Sequence, residues 1–183
     1  MKKLIWLVAM LIMFASNAFA ANHEEKPPMT KIETFLSNKG RMFDKDIYPV
    51  GGIREKGWVV FSALVVSDPT AKAPKIKGMS VEMMSPVART AFMDIEELEN
   101  LSKALEHIIH VSSEWNEQEK RFHKEIVYTT NGYLQFGCKK RISEEPEMFV
   151  SVGISMVSAD LKQMADVKKY IDNALLILNR KSE

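Results

Sequence analysis

Few residues in this chain have the type and spacing to do chemistry. His107, His110 and Glu114 fall at i, i+3 and i+7, which gathers them on one side of a helix. Three such groups suit a divalent ion. By angle, however, that side lies opposite Leu98 and Leu101, and an amphipathic helix needs a polar face regardless. Ala21-Asn22-His23 offers a second metal pattern. As a free N-terminus it would present an amine, two amide nitrogens and an imidazole, a set that wraps square-planar Cu(II) or Ni(II). Met79, Met83, Met84 and Met93 add thioethers, soft ligands for Cu(I). Met79 and Met83 share the inward phase of a strand, where methionine is ordinary filler. The sequence leads to no cofactor being expected, with copper as the alternative, and packing explains the methionines better than ligation does.

Motifs for catalysis are missing. Gly51-Gly52 lacks the Lys-Ser/Thr or Gly-x-x-Gly context of a phosphate loop, and neither Gly-x-Ser-x-Gly nor His-Glu-x-x-His occurs. Asp94 and Glu97 resemble an acid pair, yet they stand where a helix begins and read as its capping box. An enzyme would have to assemble its site from scattered groups such as Asp44, Asp46, Tyr48 and Arg54. The remaining surface is a hairpin. Asn131-Gly132 between two β-rich runs predicts a two-residue type I′ turn. That register pairs Thr130 with Tyr133, Thr129 with Leu134, Tyr128 with Gln135 and Val127 with Phe136. Val127, Leu134, Phe136 and Cys138 then face the core, leaving Cys138 an inert buried thiol. Tyr128, Thr130, Tyr133 and Gln135 share the other face. Two aromatics with two hydrogen-bonding side chains make a binding surface there, since tyrosine joins apolar area to a polar tip. The same pairs would also stabilise the sheet by themselves.

The elements that position these groups form a repeating pattern. Arg89–Met93, Asp94 and Ile95–Trp115 spell strand, cap and helix, with apolar residues at Leu98, Leu101, Leu105, Ile108 and Trp115. Phe149–Val157, Ser158 and Ala159–Leu178 repeat it, at an offset of 63 residues (Leu98 to Leu161). In that register Lys168 is a mismatch. Thr30 and Glu33 form a capping box for a short helix ending before Gly40. Trp58–Val66 is apolar on both faces, as suits a central strand. Val150, Val152 and Ile154 alternate along one strand. The expectation is an α+β fold of pseudo-duplicated βββα units, with an antiparallel sheet, two long helices packed on one face and a short N-terminal helix. The single domain spans 30–183, its halves about 41–118 and 122–180.

The passage Val152–Leu175 is similar to the last strand and helix of single-strand-binding transcription cofactors and Whirly proteins, a resemblance that bears on fold only. More broadly, the run Lys39–Gly51, the strand Ala63–Val66, Asp94–Leu105 and Tyr128–Gly137 resemble a group of exported bacterial proteins to which no activity is assigned. That resemblance implies a folded unit and transfers no function.

Lys2 and Lys3, the apolar Leu4–Phe14 and Ala18-Phe19-Ala20 predict a signal peptide over 1–20, cleaved after Ala20, then a loose leader over 21–29. Export to the periplasm or the medium follows, with no membrane span expected in the mature chain. Lysines and arginines number 25 against 24 acids, and cleavage removes two of the former. Near neutrality argues against nucleic acid as partner. Cys138 is the only cysteine, so no intrachain disulfide forms. The reading is an exported, non-enzymatic binding domain for a protein, a small ligand or a second copy of itself, with periplasmic copper handling and an enzyme whose site the sequence does not reveal as the alternatives.

Overall fold

A computed structural model describes residues 29–180 apart from 55–56, 72, 85–86, 116–122 and 143. The expected signal peptide, the expected leader up to residue 28 with Ala21-Asn22-His23, and the expected Ser85-Pro86 turn lie outside the described residues.

Helix α1 (Lys31–Leu36) starts at the expected box, where Thr30 Oγ1 accepts the Glu33 N–H at 3.1 Å and Glu33 Oε2 accepts the Thr30 N–H at 2.9 Å. Four antiparallel strands follow in sequence order: β1 (Asp44–Ile53), β2 (Val59–Ser67), β3 (Ile76–Met84) and β4 (Ala88–Asp94). After α2 (Ile95–Ser113) comes a second sheet, β5 (Lys124–Thr129), β6 (Leu134–Lys140), β7 (Glu147–Val152) and β8 (Ser155–Ala159). Helix α3 (Leu161–Arg180) ends the described chain. The fold is thus α+β with two four-stranded sheets, where three strands per half and one sheet were expected. In the second half, Val152–Ser155 closes a turn with Gly153 at φ +57°, splitting the expected strand Phe149–Val157 in two. Ile154, read as part of that alternating strand, sits at the turn and is 74% exposed.

Strand β2 is buried on both faces, as its continuous apolar run requires. Phe61, Ala63 and Val65 point into the main core, which gathers both sheets and both long helices. Leu64 and Val66 point the other way and, with Ile32 of α1, form a second cluster. Edge strand β1 carries Pro49 and a bulge between Pro49 and Gly51, features that blunt an exposed edge. A Cβ at Gly51 would fall 2.2 Å from the Tyr170 ring of α3, so glycine there lets the helix settle on the sheet. Tyr170 in turn lies against Phe61, ring centroids 5.9 Å apart.

Helix α3 does not begin at Ser158, whose hydroxyl hydrogen-bonds Glu147. Its box is Asp160 and Gln163: Asp160 Oδ1 accepts the Gln163 N–H at 2.6 Å, and Gln163 Oε1 accepts the Asp160 N–H at 2.9 Å. With starts aligned there, the offset between the helices is 66 residues (Asp94 to Asp160). The buried stripe Leu98, Leu101, Leu105, Ile108 and Ser112 then falls on Met164, Val167, Ile171, Ala174 and Leu178 without a mismatch. Lys168 leaves the stripe and pairs with Asp172 at 2.9 Å, while Ser102 of α2 donates to the same carboxylate at 2.5 Å. Helix α3 packs most extensively against α2 and, in the first sheet, on β1 and β2. Helix α2 spans β3 and β4 together with β5 and β6 of the second. No helix among the described residues is long and apolar enough to cross a membrane.

The Ser102–Asp172–Lys168 link makes helix pairing sensitive to acid. Burial pushes the Asp172 carboxyl up, but the hydrogen bonds from Ser102 and Lys168 and the lysine's charge outweigh it, so the group lies below its ordinary 3.8. A depressed carboxyl stabilises the fold above its unfolded pKa, and that contribution is lost as pH falls through the folded value. Asp172 is 42% exposed, which discounts the effect for solvent screening. Asp172→Asn should lower Tm at neutral pH by about 1–4 °C, corresponding to roughly 0.5–1 kcal/mol. In thermal melts this gap should close as the pH drops below 3.8. A gap that persists however far the pH falls below that value would mean that the Asp172 charge does not produce it.

Candidate functional site

The first turns of α1 and α2 meet at one carboxylate, Asp94, and a second, Glu97, ties them to the β5–β6 turn. Asp94 closes β4 and caps α2, in a box where Glu97 Oε2 accepts its N–H at 3.3 Å. The Asp94 side chain also leaves its own helix: Oδ2 accepts the Lys31 N–H at 2.8 Å and Oδ1 the Ile32 N–H at 3.3 Å. Two orphan donors of α1 are thereby satisfied from another element. The side chain of Lys31 completes the junction with an ion pair to Glu96. Glu97 extends the network to the second sheet, its Oε1 accepting the Asn131 N–H at 2.7 Å. The acid pair is helix-start chemistry, as its spacing implied, and it also docks a helix and a hairpin.

The hairpin departs from its expected register by one residue. Tyr128 pairs with Phe136, Val127 with Gly137 and Thr129 with Gln135. The loop is Asn131-Gly132-Tyr133, closed by hydrogen bonds from Thr130 N to Leu134 O at 2.9 Å and from Tyr133 N to Thr130 O at 3.0 Å. Type I′ geometry would need positive φ at Asn131 and Gly132. Instead Tyr133 takes the left-handed conformation, φ +58°, the only non-glycine residue to do so among the described residues. Gly132 serves a different purpose. A Cβ on it would stand 2.4 Å from the Phe92 carbonyl oxygen, so the missing side chain is spent on docking the turn against β4. The three-residue loop matches the class whose last position is left-handed.

A one-residue slip transfers side chains between faces. The predicted face of Tyr128, Thr130, Tyr133 and Gln135 is therefore not formed as one surface. Tyr128 turns toward the main core, and burial, with Glu97 adding to it, raises its phenol above the ordinary 10.0. Thr130 is buried, its Oγ1 accepting the Leu134 N–H. Gln135 lies on the outer face with Thr129 and Ser151, receiving a hydrogen bond from the Ser151 hydroxyl at 3.1 Å. Val127, placed in the core by the expected register, is 39% exposed, whereas Leu134, Phe136 and Cys138 are fully buried as expected. Burial pushes the Cys138 thiol up to about 11.

Tyr133 remains on the surface and lines a groove. Its walls are Met29 just before α1, Leu36 at the end of α1, Phe92 on β4, and Tyr133 and Val152 at the turns of the second sheet. The groove measures about 630 Å³, within the range of ligand sites. Glu33 supplies its single charge, with Ser37 and Asn131 as further polar groups. Of these residues, spacing singled out Glu33 and Asn131 for local structure and Tyr133 for the wrong face. Phe92 carried a signal, an aromatic on the outward phase of a strand whose Ala91 and Met93 are buried.

The other candidates do not converge. His110 pairs with Glu114 at 3.5 Å on the exposed side of α2, and no group of three or more His, Cys, Asp or Glu residues is placed to hold a metal among the described residues. His107 is exposed on the same helix. Asp44 and Asp46 are exposed on β1, Tyr48 packs against the main core, and Arg54 lies 6.0 Å from the Trp58 ring. Met79, Met83 and Met93 are fully buried in the core. No protein-family model matches this chain, and no curated protein or solved structure matches it either.

The adjacent residues Gly132 and Tyr133 should respond in opposite ways to substitution. A left-handed tyrosine carries roughly 1–2 kcal/mol of backbone strain that asparagine tolerates better. Tyr133→Asn should keep Tm unchanged or raise it by about 2–4 °C. Gly132→Ala should cost at least about 2 kcal/mol, because backbone must yield. Differential scanning calorimetry reads both, and a neutral Gly132→Ala would contradict the close-approach account.

Proposed function

We propose that this chain is an exported, non-enzymatic binding domain whose ligand surface is the groove between α1, Phe92 and the two turns of the second sheet. The observation that carries the reading is Tyr133. It is held at φ +58°, half-exposed, with its ring in the groove, although glycine stands one position earlier. Strain of this kind persists where the surroundings over-determine it, and it clusters at binding sites. Folding alone would favour asparagine or glycine at this position. Mostly apolar walls with a few polar groups are also the composition of small-ligand sites. The N-terminal basic, apolar and small-residue pattern of 1–20 supports export.

The two halves are related units. Support comes from the matched helix starts, Asp94 with Glu97 and Asp160 with Gln163, and from the five buried positions that coincide at an offset of 66. Each unit is four strands and a helix. The groove lies at the junction between the units and belongs to neither repeat alone.

A neutral apolar probe tests the site without knowledge of the natural ligand. Nile red should bind the full chain saturably at one equivalent. Tyr133→Asn and Leu36→Asp, at unchanged circular dichroism, should weaken it by about tenfold, near 1.4 kcal/mol. Equal dye binding by both variants would contradict the groove as the ligand surface.

A further inference from the structure

We propose that the groove takes a short peptide segment in which apolar side chains flank a lysine or arginine. The inference rests on the groove being the ligand surface and adds the chemistry of its occupant. Met29, Leu36, Phe92, Tyr133 and Val152 call for apolar side chains. Among the lining residues the only charge is the Glu33 carboxylate. Its Oε2 accepts the Thr30 N–H, while Oε1 has no hydrogen bond or ion pair among the described residues. One acceptor oxygen in an apolar cleft selects a donor, and a cationic donor gains most from it.

Charges around the groove point the same way. Asp94 and Glu97 add negative charge beside it, their oxygens bonded to neutral N–H groups and Asp94 partly offset by the Lys31 ammonium. Lys31 is paired with Glu96, and Lys45 lies 5.9 Å from the Phe92 ring without lining the groove. A carboxylate or phosphate entering the groove would meet repulsion from Glu33. An ammonium or guanidinium would find a counter-ion, with the Tyr133 ring available to its stem. The groove is an open trough between a helix end and two turns, a shape that admits a chain passing through. Asn131 and Ser37 offer hydrogen-bonding side chains to a peptide backbone.

The decisive variant is Glu33→Gln, because glutamine preserves the capping box while removing the charge. Fluorescein-labelled, end-blocked pentapeptides alternating leucine with lysine, leucine with glutamate, and serine with lysine can be titrated by anisotropy against the full chain. The leucine–lysine peptide should bind best. Glu33→Gln should weaken it about fivefold or more and flatten its dependence on salt between about 50 and 500 mM. Tyr133→Asn should weaken it about tenfold. Equal or tighter binding of the leucine–glutamate peptide, or indifference to Glu33→Gln with Tyr133→Asn still damaging, would overturn the cationic ligand while leaving the groove in place. Indifference to Glu33→Gln, Tyr133→Asn and Leu36→Asp alike would remove the groove itself, and this proposal with it.

Discussion

The Asp94 carboxylate ties the start of α1 to the start of α2. The N-cap of α2 needs an acceptor at this position, and serine, threonine or asparagine would serve that end alone. Asp94 also reaches Lys31 and Ile32, so the six-residue α1 is anchored at its first turn by a side chain from the first sheet. A helix that short has little stability of its own. Its position depends on this contact and on the small cluster of Ile32 with Leu64 and Val66. Free backbone N–H groups at a helix start carry partial positive charge, which makes a carboxylate the strongest available partner.

What α1 and the Asp94–Glu97 network fix is one wall and the floor of the groove. The opposite wall is the β5–β6 turn, tied by the Glu97–Asn131 bond and by the approach of Gly132 to the Phe92 carbonyl. The third boundary is the β7–β8 turn, and Ser155 of β8 donates to the Val87 carbonyl at 3.1 Å, joining the two sheets nearby. Most of the stability lies elsewhere, in the core that both sheets and both long helices fill. Each fully buried leucine or isoleucine there contributes roughly 1.5–3 kcal/mol, more than any one bond at the junction. The groove is thus assembled from short segments on a rigid base, and it can carry strain at Tyr133 without threatening the fold.

Local chemistry was legible from the sequence; long-range pairing was not. The capping boxes at Thr30–Glu33 and Asp94–Glu97, the doubly buried β2 and the inward Met79 and Met83 follow from periodicity and short-range hydrogen bonding. Two of the errors share a cause, a residue's local preference overruled by a contact with another element. Asn131-Gly132 favours a two-residue turn, but Gly132 is needed against Phe92, which moves the left-handed position to Tyr133 and flips Tyr128 inward. Gly153 splits an alternating run that reads as one strand. Ser158 is a good cap by type, yet its hydroxyl goes to Glu147, and Asp160 takes over two residues later. The groove was invisible because its walls come from α1, β4 and two turns, brought together by two carboxylates and one missing Cβ.

Amide hydrogen exchange of Asp94→Ala against the unaltered chain, followed by NMR, tests this account most directly. The predicted result is a selective loss of protection at Lys31, Ile32 and the β5–β6 turn, with the amides of β2 and β3 still protected. That pattern would mean that Asp94 holds the groove's walls while the core holds the fold. Unchanged protection at Lys31 and Ile32, or an equal loss spread over both sheets, would contradict it.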